Sequence, residues 1–201
     1  MMRRSVGRYL GVGVHVAAWD AVAATVDLTC ACMLAREVFG DRPVGGLAHL
    51  DAALGGKLTS SRASGIFRAA WGETLLIDSP PATVVAAAVL IVGLGDPNAW
   101  STATMAEAVS TAFATAAVKR ATSVAFAPSM LDGRLSAAQT SGAAEAMMQS
   151  LKRAIAKQSW LHDEGLAAKG SVREWVFDVG IARFEAAAAV FREALNAEEP
   201  S

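Results

Sequence analysis

A chain of 201 residues, 53% apolar and 18% charged, can bury one sizeable core or at most two small ones, and its composition excludes disorder. A net charge of −1 with no lysine or arginine run leaves no electrostatic footprint for nucleic acid. The longest strongly apolar run, Ala82 to Gly95, is too short and too glycine-tailed to span a bilayer, so no membrane partner is expected.

Met1-Met2-Arg3-Arg4 followed by a short apolar segment resembles an export signal only superficially. Arg8 and His15 flank that segment and Asp20 precedes any small-residue cleavage site, so it reads as a first strand and the chain as cytoplasmic. Alternation predicts that strand over Tyr9 to Val16 and a second over Ala24 to Leu34. After a loop at Asp41-Arg42-Pro43, Leu47, Leu50, Leu54 and Leu58 recur at helical spacing. The Gly55-Gly56 pair costs that helix about 1 kcal/mol per glycine, which implies close backbone packing or a bend.

Glu73 to Ile77 reads as a strand stopped by Pro80-Pro81, and Val84 to Val92 as another, punctuated by Gly93 and Gly95. Thr104 and Glu107 have capping-box spacing for a helix whose apolar stripe is Met105, Val109, Ala112, Phe113 and Ala116. A strand over Ser123 to Ala127 precedes a helix with Ala144, Met147, Met148, Leu151 and Ile155 on one face. Gln158 to Ser171 reads as a polar connector and Val172 to Val179 as the last strand. The final helix presents Ile181, Phe184, Ala188, Phe191 and Leu195, before an acidic tail from Asn196 to Ser201. Strands alternating with helices predict an α/β fold. We expect one domain over residues 1–201, its core from about 9 to 196, as a three-layer α/β/α sandwich. Its mixed sheet of about six strands should bury Val14, Val26, Leu76, Leu90, Val92, Val124 and Val176.

Chemistry-bearing residues are sparse. Cys30 and Cys32 fall on one face of a strand, where a mutual disulfide is geometrically poor, and no histidine lies at ligand spacing from them. They read as buried thiols, and His15 on a neighbouring strand as a core histidine instead of a Cys/His partner. His162-Asp163-Glu164 reads as a solvated cluster, and Asp132-Gly133-Arg134 as a surface turn. The positions left for a small ligand are loops at strand ends: Gly93, Gly95 and Asp96 after one strand and Ser129 after the next. As a dinucleotide fingerprint the first loop fails, because Asn98 holds the third glycine position and the next strand ends Phe126-Ala127-Pro128 without a ribose-binding acid. A tight nucleotide complex is therefore not expected.

One stretch adds more. Leu50-Asp51-x-Ala53-Leu54-Gly55-Gly56-x-Leu58 is followed by Ser64-Gly65-x-Phe67, Gly72-Glu73-Thr74 and Val89-Leu90-Ile91-Val92-Gly93-Leu94-Gly95. This order and spacing resembles the N-terminal domain of the leucyl aminopeptidase family. The similarity is strongest from Leu47 to Gly95 and extends by element order over Ala24 to Leu195. It implies a macro-domain-like fold with a framework role for Gly-Leu-Gly, and it places the peptidase chemistry in a separate C-terminal domain that should begin about where this chain ends. That domain's Asn-Thr-Asp-Ala-Glu-Gly-Arg stretch has no counterpart here, so two-metal hydrolysis lacks its ligands, and no catalytic residue, metal or cofactor is expected. The leading expectation is a stand-alone, non-catalytic relative acting through protein contacts. Its partner would be itself, as a homo-oligomer joined through Trp160, Leu161 and the outer side of the last helix, or another protein. The alternatives are an accessory subunit of a metallo-aminopeptidase whose catalytic chain is encoded separately, and a nucleotide-like ligand module using the strand-end loops.

Overall fold

The computed structural model describes residues 2–19, 21–37, 42–129, 138 and 140–197. The turn expected at Asp132-Gly133-Arg134, together with Asp41 and the tail from 198 onward, lies outside these residues. Among the described residues, no helix is long and apolar enough to cross a membrane.

A hairpin opens the chain, β1 (Met2–Tyr9) and β2 (Val12–Ala18). Its two-residue turn puts Leu10 and Gly11 at φ 42° and 86°, the left-handed pair that a tight hairpin needs. The strand expected from Tyr9 to Val16 therefore straddles a turn, because Tyr9-Leu10 continues the alternation across it. Next come β3 (Leu28–Met33), α1 (Gly45–Ala53), α2 (Lys57–Ala63), β4 (Thr74–Ile77) and β5 (Ala88–Gly93). The rest is α3 (Thr102–Lys119), β6 (Ser123–Ala127), α4 (Ala143–Asp163), β7 (Glu174–Asp178) and α5 (Phe184–Asn196).

The seven strands form one sheet in the order β1-β2-β7-β6-β3-β5-β4. The five inner strands are parallel and the two edges antiparallel, which is one strand more than expected. One face packs Val14, Cys30, Leu90, Phe126 and Trp175 under α3, α4 and α5. The other packs Ala31, Met33, Val89 and Ile91 under α1 and α2. Residues on opposite faces alternate along β3 and β5, as a doubly covered parallel sheet requires. Two core assignments fail: Val26 is only half-buried, and Leu76 on the edge strand keeps 37% of its surface exposed.

Local chemistry sets the element ends. Gly55 and Gly56 take φ 67° and 74°, while a Cβ on either would meet nothing within 4 Å, so the glycines serve a bend and not close packing. Asp51, buried on α1, spans that bend. Its Oδ1 accepts from the backbone N–H of Leu58 at 2.8 Å and of Thr59 at 3.3 Å, and its Oδ2 from the Thr59 hydroxyl, so α1 supplies the cap for α2. The capping box of α3 is Ser101 with Thr104, one turn earlier than the Thr104–Glu107 expectation, and the Ser101 N–H donates to Thr104 Oγ1 at 3.2 Å. Helix α4 runs on to Asp163 through residues expected to be a connector. Ile181 lies before α5 in a 3-10 turn and is 77% exposed.

Asp27 closes the opposite end of the sheet. Its Oδ2 accepts from the Thr122 N–H at 2.7 Å, the Thr122 hydroxyl at 2.6 Å and the Ser123 N–H at 3.1 Å, tying the start of β3 to the start of β6. These bonds, the Thr122 hydroxyl first, hold its carboxyl below the usual aspartate pKa. Asp27→Ala should cost about 1.5–3 kcal/mol in urea unfolding at neutral pH. Because the folded pKa is depressed, that stabilisation is complete above the unfolded value and fades as pH falls through the folded one. The gap between wild type and variant should therefore narrow in acid.

Candidate functional site

In a parallel sheet every strand delivers its carboxyl end, and the following helix its N-terminus, to the same side. Here β3, β6 and β7 do so around a pocket of about 500 Å³. Trp19, Met147, Val190 and Phe191 give it an apolar wall, while Ser129, Thr140, His49, Asp178 and Arg183 bring polar groups. The first turns of α1 and α4 and the approach to α5 line it through Gly45, Ala144 and Gly180. In none of the three does the side chain of the N-cap residue itself, Val44, Gly142 or Arg183, cap the helix. Their aligned peptide dipoles give this end of the fold a positive bias, and Arg183, exposed on the rim, adds a full charge. Asp178 is buried at the end of β7, where its Oδ1 accepts from the Trp19 N–H at 2.9 Å and so fixes the chain leaving β2.

The expected strand-end residues divide. Ser129, at φ 52°, lies in the pocket wall. Gly93, Gly95 and Asp96 do not line it. A Cβ on Gly93 would sit 2.2 Å from the Ala70 carbonyl oxygen, and Gly95, at φ 75°, lies under Trp71. These glycines let the segment before β4 cross the end of β5. Asp96 caps a short 3-10 turn, accepting from the Asn98 N–H at 2.8 Å, and pairs with Arg36 at 3.0 Å. The pocket escaped the sequence because its residues come from six separate segments with no common motif. The run of parallel strands, which fixes where helix N-termini converge, was the only signal.

The other titratable groups are scattered. Cys30 and Cys32 are buried free thiols on the α3–α5 face, and burial pushes both thiol pKa values up. His15 is not on a strand adjacent to them: β7 and β6 intervene, and it points to the opposite face from Val14 and Val16. Burial first, then the Arg3 charge, lowers its pKa below the usual histidine value. His162 and Asp163 are exposed on the last turn of α4, beside a crevice of about 330 Å³ at the far end of the sheet. Trp160, also on α4, is 56% exposed. Among the described residues, no three His, Cys, Asp or Glu side chains gather closely enough to hold a metal ion. The described residues alone therefore supply no ligand set for the two-metal chemistry that an aminopeptidase uses.

A framework role for the Gly-Leu-Gly loop has a direct consequence. Gly93→Ala must displace backbone and should cost about 1–3 kcal/mol or more in thermal unfolding. Asp96→Ala, which loses an exposed cap, should cost about 1 kcal/mol or less.

The family model for the N-terminal domain of the cytosol aminopeptidase family matches residues 38–157. No curated protein matches the chain. Among solved structures, tomato leucine aminopeptidase superposes with a TM-score of 0.67 at 18% identity, covering 93% of this chain but 36% of that enzyme. The Oceanobacillus iheyensis macrodomain with ADP gives a TM-score of 0.64 at 12% identity, covering 96% of this chain and 95% of that one. The Trypanosoma brucei macrodomain in complex with ADP gives 0.61 at 13%, covering 91% and 69%. At such identities the structural likeness shows the fold alone, a macro-domain-like α/β sandwich. With more than half of its length matched by the family model, the chain belongs to the cytosol aminopeptidase family, in the family's N-terminal domain.

Proposed function

We propose that the domain is a non-catalytic binding module whose strand-end pocket takes a small ligand with an apolar or aromatic body and an anionic group. The pocket carries this reading: its apolar wall of Trp19, Met147 and Phe191 would hold a ring or chain, and Arg183 would meet the anion. A nucleotide meets both requirements, and the two macrodomain structures with ADP lend the same fold to such a ligand. Lacking a glycine fingerprint, the site should bind weakly. Calorimetry with ADP and ADP-ribose should give saturable binding at tens to hundreds of micromolar, about −5 to −6 kcal/mol. Arg183→Glu and Val190→Trp should abolish it, and Asp96→Ala should leave it unchanged. No saturation up to millimolar ligand, or binding indifferent to both pocket variants, would sink the reading.

A second reading, action through protein contacts, is favoured by large apolar side chains left exposed, among them Trp71 at 69% and Trp160 at 56%. It includes contact with a separately encoded peptidase chain. Under either reading the purified domain should not hydrolyse leucyl p-nitroanilide with added manganese. Chelator-sensitive turnover that copurifies with the chain, after a contaminating full-length peptidase is excluded, would refute this.

A further inference from the structure

The two edges of the sheet are built differently. At one edge, β1 carries Arg3, Arg4 and Arg8 and a register irregularity between Ser5 and Gly7. Arg3 pairs with Glu174 at 2.7 Å and Arg4 with Glu185 at 2.6 Å. Charges and irregularities of this kind protect an edge from pairing with another chain. At the other edge, β4 reads Thr74-Leu75-Leu76-Ile77, with no charge, no proline and no irregularity in its pairing with β5. The loop leading into it exposes Ile66 at 78% and Trp71 at 69%.

The hydrogen-bond phase of β4 tells which groups are free to pair. The Glu73 carbonyl accepts from the Gly93 N–H at 2.7 Å, so residue 73 turns to β5. In an antiparallel ladder the direction alternates, so Leu75 and Ile77 also turn to β5, while the N–H and C=O groups of Thr74 and Leu76 point off the edge.

We infer that this edge pairs with the β4 edge of a second copy of the chain, antiparallel across a two-fold axis at Leu76. The sequence is self-complementary in that register. Leu76 lies opposite Leu76 of the second copy, and Leu75 lies opposite Ile77, so the apolar residues meet. Thr74 lies opposite Asp78, whose charge Lys119 already balances at 2.6 Å, so no like charges face one another. The exposed surface of Leu76 is covered, and the off-edge backbone groups exchange water for a strand. Nothing in this inference depends on the ligand pocket, which lies at the strand ends and not at this edge.

Light scattering of the full chain at tens of micromolar, an order of magnitude suited to weak interfaces, should give twice the 20.8 kDa monomer mass. Leu76→Cys should form an interchain disulfide on mild oxidation, because directly opposed, hydrogen-bonded residues have Cα atoms about 5.5 Å apart, within disulfide reach. The wild type is the control, since Cys30 and Cys32 are buried. Leu76→Lys, which sets two like charges on the axis, should give a monomer with an unchanged circular dichroism spectrum. A monomeric wild type would overturn the inference. So would a dimer in which Leu76→Cys gives no interchain disulfide, or one dissolved by Trp160→Ala instead, which would assign association to α4.

Discussion

The stack of Phe191 on Phe177, with ring centroids 4.3 Å apart, ties the last helix to the centre of the sheet. Phe177 is also in edge contact with Trp175 and Phe126, and Trp175 reaches Phe113 on α3, so one aromatic chain joins β6, β7, α3 and α5. All these rings are buried. Truncating one such ring to alanine costs about 3–5 kcal/mol in a packed core, a large fraction of the stability of any single domain. The stack sets the position of α5, and α5 carries Val190 and Phe191 into the pocket wall. One wall of the site is therefore set by a core contact.

The family signature belongs to the same scaffold. Asp51 caps α2 across the Gly55-Gly56 bend. Phe67 is buried, and the Glu73 carboxylate accepts from the Arg68 and Ala70 N–H groups at 3.0 Å, shaping the segment that Gly93 admits. Asp51, the Gly55-Gly56 pair, Glu73 and Gly93 thus answer backbone requirements, while Leu50, Leu58 and Phe67 fill the core on the α1/α2 side. None of them lines the pocket. The signature therefore specifies the scaffold and leaves the pocket walls to other residues.

Much of the fold was legible because it is local. Ser123–Ala127 matched its expected bounds, since proline and polar residues punctuate a short β-branched and aromatic run. The thiols lie where alternation put them. Features that depend on distant neighbours were not legible. β1 is an edge strand and mostly exposed, so its arginines hid the alternation that marks a half-buried strand. The last two turns of α4 face solvent, and their polar residues read as a connector. Trp175, at the centre of the core, is one tryptophan in a five-residue strand, and nothing local distinguishes it from an exposed one. The pocket is the extreme case, because its walls meet only once the strands are in register.

The polarity of the sheet separates the two surfaces of this domain. Parallel strands gather helix N-termini at one end, and the strand-end pocket lies there. The antiparallel edges lie along the sides, and only their backbone and charge pattern decide whether they pair. If two copies join through β4 about a two-fold axis perpendicular to the sheet, their strands run in opposite directions. The two pockets then open at opposite ends of the joined sheet, each complete within its own chain. Association and ligand binding are thereby uncoupled in geometry, and a substitution at Leu76 leaves the walls around Arg183 untouched.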